Sequence, residues 1–433
     1  MKVGILGFGN VAAATIEAFT TNQDLIRSKT ETPIEFVRVA TRTPSRAQGR
    51  VPGGCVVSDD CWAVVDDPQI DVVLELMGNV KLGRELVLRA LSNSKHVITA
   101  NKALLAQHGE EIMQMADQAG CSVLFEGAVA VSIPIIKTLR ESAAANRISS
   151  IIGILNGTSN YVLSQMSEHG VDFATAVADA QRKGYAEADP TLDVNGEDAA
   201  HKLTLLASLA FDVPINFSAV EFKGIAEIDQ VDIEFAKRLA HQVKLIAQAR
   251  LESGGIAISV QPTLVPDRSM LARVGGSMNG ISLQGDLLGP AFLYGSGAGG
   301  RQTSSAVLAD LLELANRGGP NGAGGGHNMG FRPRGTGQTE VRYCNDRVGA
   351  FYIRLRLDDK AGALAKVSTV LADANVSINS LLQDQGLDGL SDLIVITHDI
   401  SSGQLRDMLP YLQQAAGPGH TVVIYPVLGD CGC

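Results

Sequence analysis

MKVGILGFGNVAAATIEAF, residues 1–19, opens on an apolar run from Val3 to Leu6. It turns through Gly7-Phe8-Gly9-Asn10-Val11-Ala12 and continues as an Ala-rich helical pattern. Strand, tight turn and helix in that order are what a dinucleotide-binding fold requires: Gly7 permits the turn, Gly9 lets backbone approach a pyrophosphate, and small Ala12 lets helix and strand pack closely. The phosphates then lie over the helix N-terminus. A glycine turn without a ligand is the plainer alternative, and the strand and helix on either side argue against it. Working outward, the next strand candidate, Ile34 to Ala40, ends in Thr41-Arg42-Thr43 rather than in an acid that would grip a ribose hydroxyl. Arg42 suits a 2'-phosphate, which favours NADP over NAD. Asp71–Leu76 and His96–Ala100 read as further strands buried on both faces, with a helical segment around Gly83 to Leu91 between them. Lys102 follows the second of these, at the carboxyl end of a strand, where ligands bind in open α/β sheets.

A second stretch, GYAEADPTLDVNGEDAAHK at 184–202, gathers Glu187, Asp189, Asp193, Glu197 and Asp198 with Lys202. Ionised groups in a dry interior cost several kcal/mol each unless paired, so such a cluster belongs on solvent or in a site. Pro190 breaks any helix there. A helix is expected from Asn195-Gly196 onward, with Leu203, Leu206 and Leu209 on its apolar stripe. Asp198 and Lys202 stand four residues apart and project from one face. By spacing alone a solvated ion pair is the commoner outcome, and catalysis needs further support.

The 433 residues are 45% hydrophobic, enough for two or three domains with their own cores. A net charge of −10, a pI near 5.3 and the lack of a basic run argue against a nucleic-acid partner. No signal-peptide pattern and no span-length apolar run is present, so no membrane association and a cytoplasmic location are expected. Six scattered cysteines do not form a disulfide framework. Cys431 and Cys433 flank a glycine at the end, and two thiols alone do not close a zinc site.

RGGPNGAGGGHNMGFRPRGTG at 317–337 has little that could build a core and reads as a linker. Beyond it the pattern runs β, α, β, β, α, β. The strands are Ala350–Leu357, Val376–Leu382, Leu393–Thr397 and Thr421–Pro426, and the helices Ala363–Ala374 and Ser402–Ala415. Leu364, Val367, Val370 and Leu371 are expected to face inward on the first helix. That order is the split βαβ arrangement of ferredoxin-like domains. The expected fold is therefore α/β: a Rossmann-type nucleotide-binding domain over 1–127, completed by the 303–317 helix, and an α+β domain over 128–302. A glycine-rich linker over 318–348 and a ferredoxin-like domain over 349–433 follow.

GFGNVA, VVLELMGN, VITANKALLA, LFEGAVAVSIPIIKTLRE, IIGILNGTSNYVL, GYAEADPTLDVNGEDAAHKL and GDLLGPAFLYGSGAGGRQTSSAVLADL, in this order, resemble the homoserine dehydrogenase family along nearly the whole chain. LDDKAGALAKVSTVLADANVSI resembles the ACT module, a regulatory amino-acid-binding domain. The resemblance implies reversible NAD(P)-dependent reduction of L-aspartate 4-semialdehyde to L-homoserine, in the synthesis of the aspartate-family amino acids threonine, methionine and isoleucine. It implies Lys202, Lys102 and Asp198 as the catalytic group, with either lysine free to carry the proton. Glu187, Asp193, Thr158, Gly157 and Tyr185 match substrate-binding positions. Gly7, Phe8, Gly9, Asn10, Val11, Ala12, Arg42, Gly78, Lys102 and Gly299 match cofactor-binding positions. A sodium ion on the main-chain carbonyls of Glu126, Val129, Val131 and Ile133 is also implied, and carbonyl oxygens suit a hard monovalent cation. So are a catalytic and dimerisation role for the 128–302 domain, a regulatory role for the 349–433 domain with threonine as its effector, and assembly as a homodimer or homotetramer. Two departures stand out: Val131-Ser132 where the family has small residues, often Gly-Gly, and Ala361 where the regulatory turn has Pro. The competing readings are an idle nucleotide sensor, which predicts a broken site, and another NAD(P)-dependent aldehyde or alcohol oxidoreductase. An aldehyde-phosphorylating enzyme of that class needs an activated Cys nucleophile.

Overall fold

The computed structural model describes residues 1–253, 255–317, 343–344, 347–385 and 389–429. The first segment folds as β1 (Lys2–Leu6), α1 (Asn10–Thr21), β2 (Glu35–Ala40), β3 (Val56–Ser58), β4 (Val72–Glu75), α2 (Val80–Ser92), β5 (His96–Thr99), α3 (Lys102–Ala119) and β6 (Val123–Leu124). The six strands pair in parallel in the order β3-β2-β1-β4-β5-β6. Strand order reverses between β1 and β4, so a crevice opens at their carboxyl ends, over the Gly7 turn. Val3, Ile5, Val72, Leu74 and Ile98 are fully buried, as a sheet covered on both faces demands.

The middle contributes β7 (Ile148–Ile154), α4 (Gly157–His169), α5 (Phe173–Arg182), α6 (Glu197–Phe211), β8 (Glu221–Phe222), α7 (Gln230–Arg238), β9 (His241–Glu252), β10 (Gly255–Pro266), β11 (Met278–Gly285) and β12 (Gly289–Ser296). With β13 (Tyr343–Cys344) these strands form one sheet in the order β12-β11-β7-β9-β10-β13, and β8 also pairs with β10. α8 (Gly300–Asn316) returns to the nucleotide domain: its Val307, Leu311 and Leu314 share a core with Val3, Ile5, Ala12 and Ile16. The approach is close, since a Cβ on Gly300 would stand 3.2 Å from the Asn10 carbonyl.

The C-terminal part is β14 (Val348–Gly349), β15 (Phe351–Asp358), α9 (Ala363–Asp373), β16 (Ile378–Gln385), β17 (Leu390–Thr397), β18 (Ile400–Ser401), α10 (Ser402–Ala416) and β19 (Val422–Pro426). Its sheet is antiparallel in the order β16-β17-β15-β19, the ferredoxin-like arrangement. It docks on the middle domain through apolar contacts, with Tyr352, Ile394, Ile396 and Tyr425 in one core with Ile233 and Phe235, and through a buried polar group. Asp232 on α7, with no exposed surface, accepts from Tyr352 Oη at 2.8 Å and from Arg354 Nε and Nη2 at 2.7 and 2.9 Å.

Three local expectations change. α6 is buried on every side from Asp198 to Leu209, not along one stripe, because it is packed between α3 and the β7–β9 face. Pro190 does not abolish helix locally: it precedes a single turn, Thr191–Val194, since a proline at a helix start gives up no intrahelical bond. Leu364 does not face inward; it is 39% exposed, while Val367 and Leu371 are buried and Val370 partly so. Most of the linker stretch, residues 318–337, lies outside the described residues, as do Cys431 and Cys433.

Candidate active site

The site begins where two helices start side by side. Lys102 is the first residue of α3, whose N-cap Asn101 accepts from Leu104 N at 3.1 Å. Asp198 and Lys202 lie on the first turns of α6, entered through Gly196 at φ +89°. Asp198 joins the two: its Oδ1 is 3.1 Å from Lys102 Nζ and its Oδ2 is 2.7 Å from Lys202 Nζ. Lys202 also donates to the Leu155 carbonyl at 2.8 Å. This is no solvated surface pair, because Asp198 and Lys202 are only 8% and 7% exposed. Burial pushes the Asp198 carboxyl up, but the Lys202 and Lys102 charges and the hydrogen bonds outweigh it and hold it well below the usual carboxylate range. Asp198 in turn raises Lys102 against the opposing effect of its burial.

Asn156, missed in the sequence, ties the acidic segment to this centre. Its Nδ2 donates to Asp193 Oδ1 at 2.7 Å and Asp198 Oδ2 at 2.8 Å, while its Oδ1 caps α4 by accepting from Ser159 N. Asp193 is raised, by burial first and then by the neighbouring Asp198 charge. Thr158 is buried and donates to the Tyr185 carbonyl at 2.7 Å. Gly157 is a forced choice, since a Cβ there would stand 2.5 Å from the Ser277 carbonyl oxygen. Tyr185 and Glu187 lie exposed on the 184–190 loop; Tyr185 packs on Tyr161 with ring centroids 4.9 Å apart. Glu187 still contributes to the raised Lys102.

On the nucleotide side, Gly7 has φ +90°, a conformation that side chains resist, and a Cβ there would meet Met77 and the Leu76 carbonyl at about 3.0 Å or less. Gly9 is the N-cap of α1, supplies no side-chain cap and faces open space. The first amides of α1 therefore face a cleft lined by Phe8, Gly9, Asn10, Ala13, Arg46 and Arg50, with Val11 and buried Ala12 on the helix behind it. Arg42 is exposed just past β2. Arg46 and Arg50 were not legible as cleft residues, because they stand in a segment with no motif spacing. Gly78 lies exposed between β4 and α2, and Gly299, at φ +134°, caps α8. Beneath the crevice, fully buried Glu75 accepts from Met77 N and Thr99 Oγ1 at 3.0 and 2.6 Å, and burial raises it to about 7. A lone Glu in the run VVLEL was the available signal.

Glu126, Val129 and Ile133 are buried and Val131 partly so. They lie on a turn where Ala130 has φ +48° and the Ile133 carbonyl accepts from Ile135 N at 2.7 Å. The Glu126 carboxylate is committed to Ile136 N and Lys137 N. Among the described residues no cluster of three or more His, Cys, Asp or Glu could hold a metal. Burial pushes the Cys55 thiol up to about 11 and also raises Cys121, so neither is an activated nucleophile. No helix among the described residues is long and apolar enough to cross a membrane.

Family models match three parts of the chain: the homoserine dehydrogenase NAD-binding domain over 7–126, homoserine dehydrogenase over 134–312, and the ACT domain over 351–417. The homoserine dehydrogenase of Pseudomonas aeruginosa is 39% identical over 425 residues, covering 98% of both chains. That of Neisseria gonorrhoeae is 37% identical over 95% of both. A solved homoserine dehydrogenase of Thiobacillus denitrificans superposes with a TM-score of 0.93 at 38% identity, covering 100% of this chain and 99% of the other.

Proposed function

Because the chain belongs to the homoserine dehydrogenase family, an NAD(P)-using group of oxidoreductases, we propose that the Asp198-bridged lysine pair is its proton-transfer centre in the interconversion of L-aspartate 4-semialdehyde and L-homoserine. The observation that carries this reading is one buried carboxylate holding two ammonium groups between the two helix starts. The Gly7 turn, Gly9 and the first amides of α1 would hold the dinucleotide, which in its reduced form would supply the hydride for the aldehyde carbon. Lys202 gives its proton to the nascent alkoxide and takes it back in the oxidation direction, while Asp198 and the Leu155 carbonyl orient its Nζ. Lys102, the more open of the two, steadies the developing oxygen charge. Asp193 and Glu187 receive the substrate ammonium, and Thr158 and Gly157, with Tyr185, form the wall against which the amino acid lies.

NADP is the preferred cofactor in this reading, with NAD as the alternative, supported by Arg42 beyond β2 and by Arg46 and Arg50 at the cleft. A sodium ion on the main-chain carbonyls of Glu126, Val129, Val131 and Ile133 rests on the family resemblance alone. The reading extends to a cytoplasmic homodimer or homotetramer in which threonine acts through the C-terminal module.

The test is production of reduced nicotinamide from L-homoserine with NADP and with NAD. Lys202→Ala lowers kcat at least about a hundredfold while dinucleotide binding persists, and near-wild-type turnover removes Lys202 from the mechanism. Arg42→Ala weakens NADP more than NAD; equal effects on both discard the 2'-phosphate contact.

A further inference from the structure

Lys244 interrupts the apolar run of β9 and is only 5% exposed. An ammonium taken out of water is costly unless its protons are held, and an apolar side chain of similar volume would fill the space without that cost. Burial pulls Lys244 down to about 8, against the attraction of Glu168 on α4. What the head group grips is therefore informative. Its Nζ donates to the Val274 carbonyl at 2.8 Å and to Asn160 Oδ1 at 3.3 Å. Both partners belong to a clasp on the 274–278 loop, which turns through Gly276 at φ +58° and enters β11 at Met278.

The carbonyls of this loop crowd together. Those of Val274, Gly276 and Met278 lie 3.0, 2.9 and 3.1 Å from Asn160 Nδ2, and an amide nitrogen has only two hydrogens to share among them. Lys244 supplies the further donor and, through Oδ1, fixes which way the Asn160 amide points. Ser164, one turn further along α4, completes the clasp by accepting from Gly276 N at 3.1 Å. The loop so held presses on the start of the same helix, where a Cβ on Gly157 would stand 2.5 Å from the Ser277 carbonyl oxygen. Any drift of the loop is therefore felt at Gly157 and at buried Thr158 beside it.

We propose that Lys244 is a positioning residue for substrate binding, holding the 274–278 loop against Gly157 so that the Gly157–Thr158 wall keeps the shape that receives the amino acid. The proposal rests on the reading of that wall as part of the substrate site. Its effect is confined to the amino-acid side, because the loop packs on α4 whereas the Gly7 turn belongs to the other sheet.

Steady-state kinetics of the full-length protein with L-homoserine and NADP or NAD test it. Lys244→Met keeps most of the stem and removes the charge. It should raise the homoserine KM about fivefold or more while the dinucleotide KM stays within about twofold. A lysine that only supports the fold would instead lower the active fraction, and so the apparent kcat, at unchanged KM. Should Lys244→Met fail to fold, Ser164→Ala, which removes one hydroxyl from the clasp, should raise the homoserine KM by about threefold. A wild-type homoserine KM in each variant that folds overturns the proposal, as does a dinucleotide KM that rises as much as that of homoserine. Thr158→Ala separates this from the underlying reading. If it leaves the homoserine KM unchanged, the wall is misassigned and the proposal falls with it; if it raises KM while the clasp variants do not, only the role of Lys244 falls.

Discussion

Asn156 has two tasks that a single substitution separates. Its carbonyl oxygen caps α4, and its amide nitrogen holds Asp193 and Asp198 at 2.7 and 2.8 Å. Asn156→Ala removes both, with an expected loss of about 1 kcal/mol in stability from the cap and a fall in kcat of roughly tenfold or more as the acids lose their alignment. Asn156→Ser keeps a capping oxygen, so it should restore the melting temperature without restoring turnover; a variant that regains both shows that the amide clamp is unimportant. Lys102, Asp198 and Lys202 stood out in the sequence because charge amid apolar neighbours is conspicuous. Asn156 did not, although it lies inside a recognisable motif, since its partners are 37 and 42 residues away and a neutral amide leaves no charge signal.

At the scale of the element, the β1–turn–α1 unit carries two glycines with different reasons to exist. Gly7 is required by its own backbone, at φ +90° against the Leu76 carbonyl. Gly7→Ala should cost roughly 1–3 kcal/mol in denaturant unfolding. Gly9 is extended and faces open space, so Gly9→Ala should leave stability within about 0.5 kcal/mol while weakening the dinucleotide by about tenfold. Stability loss in both, with unchanged affinity, contradicts the assignment. Glu75, joining the ends of β4 and β5, predicts a pH effect. Burial raises it from 4.5 to about 7. Between those values the folded protein holds a proton that the unfolded chain releases, so stability is fullest below pH 4.5 and falls as pH rises through about 7. Glu75→Gln should remove a component on the order of 2–3 kcal/mol from the difference between pH 5 and pH 7.5. Parallel pH curves for variant and wild type refute it. The apolar period announced α6 as a helix, but its fully buried circumference was hidden, because period reports the most apolar face and not what later covers the others.

For the molecule as a whole, the Asp232–Arg354–Tyr352 group decides whether the ACT domain moves with the catalytic domain. Arg354 is 5% exposed and Asp232 not at all, so removing Asp232 leaves the buried guanidinium only the longer contacts to Asp392 and Asp229, at 3.5 and 3.8 Å. Asp232→Ala should cost about 3–5 kcal/mol and split calorimetric unfolding into two transitions, the C-terminal domain melting first. A single transition at the wild-type temperature means that apolar contacts alone hold the domains together.

Local order in the chain was enough for the parallel nucleotide sheet, the βαββαβ order of the last domain and the pairing of Asp198 with Lys202, because strand period, glycine turns and i,i+4 spacing are properties of neighbouring residues. Only the folded molecule brought Lys102 from one helix start to the acid of another, 96 positions away, and turned a surface-looking ion pair into a buried one. The same holds for the Asn156 clamp and the Asp232 joint. Each depends on segments far apart in sequence meeting at a set distance, and that distance follows from packing, which no local pattern encodes.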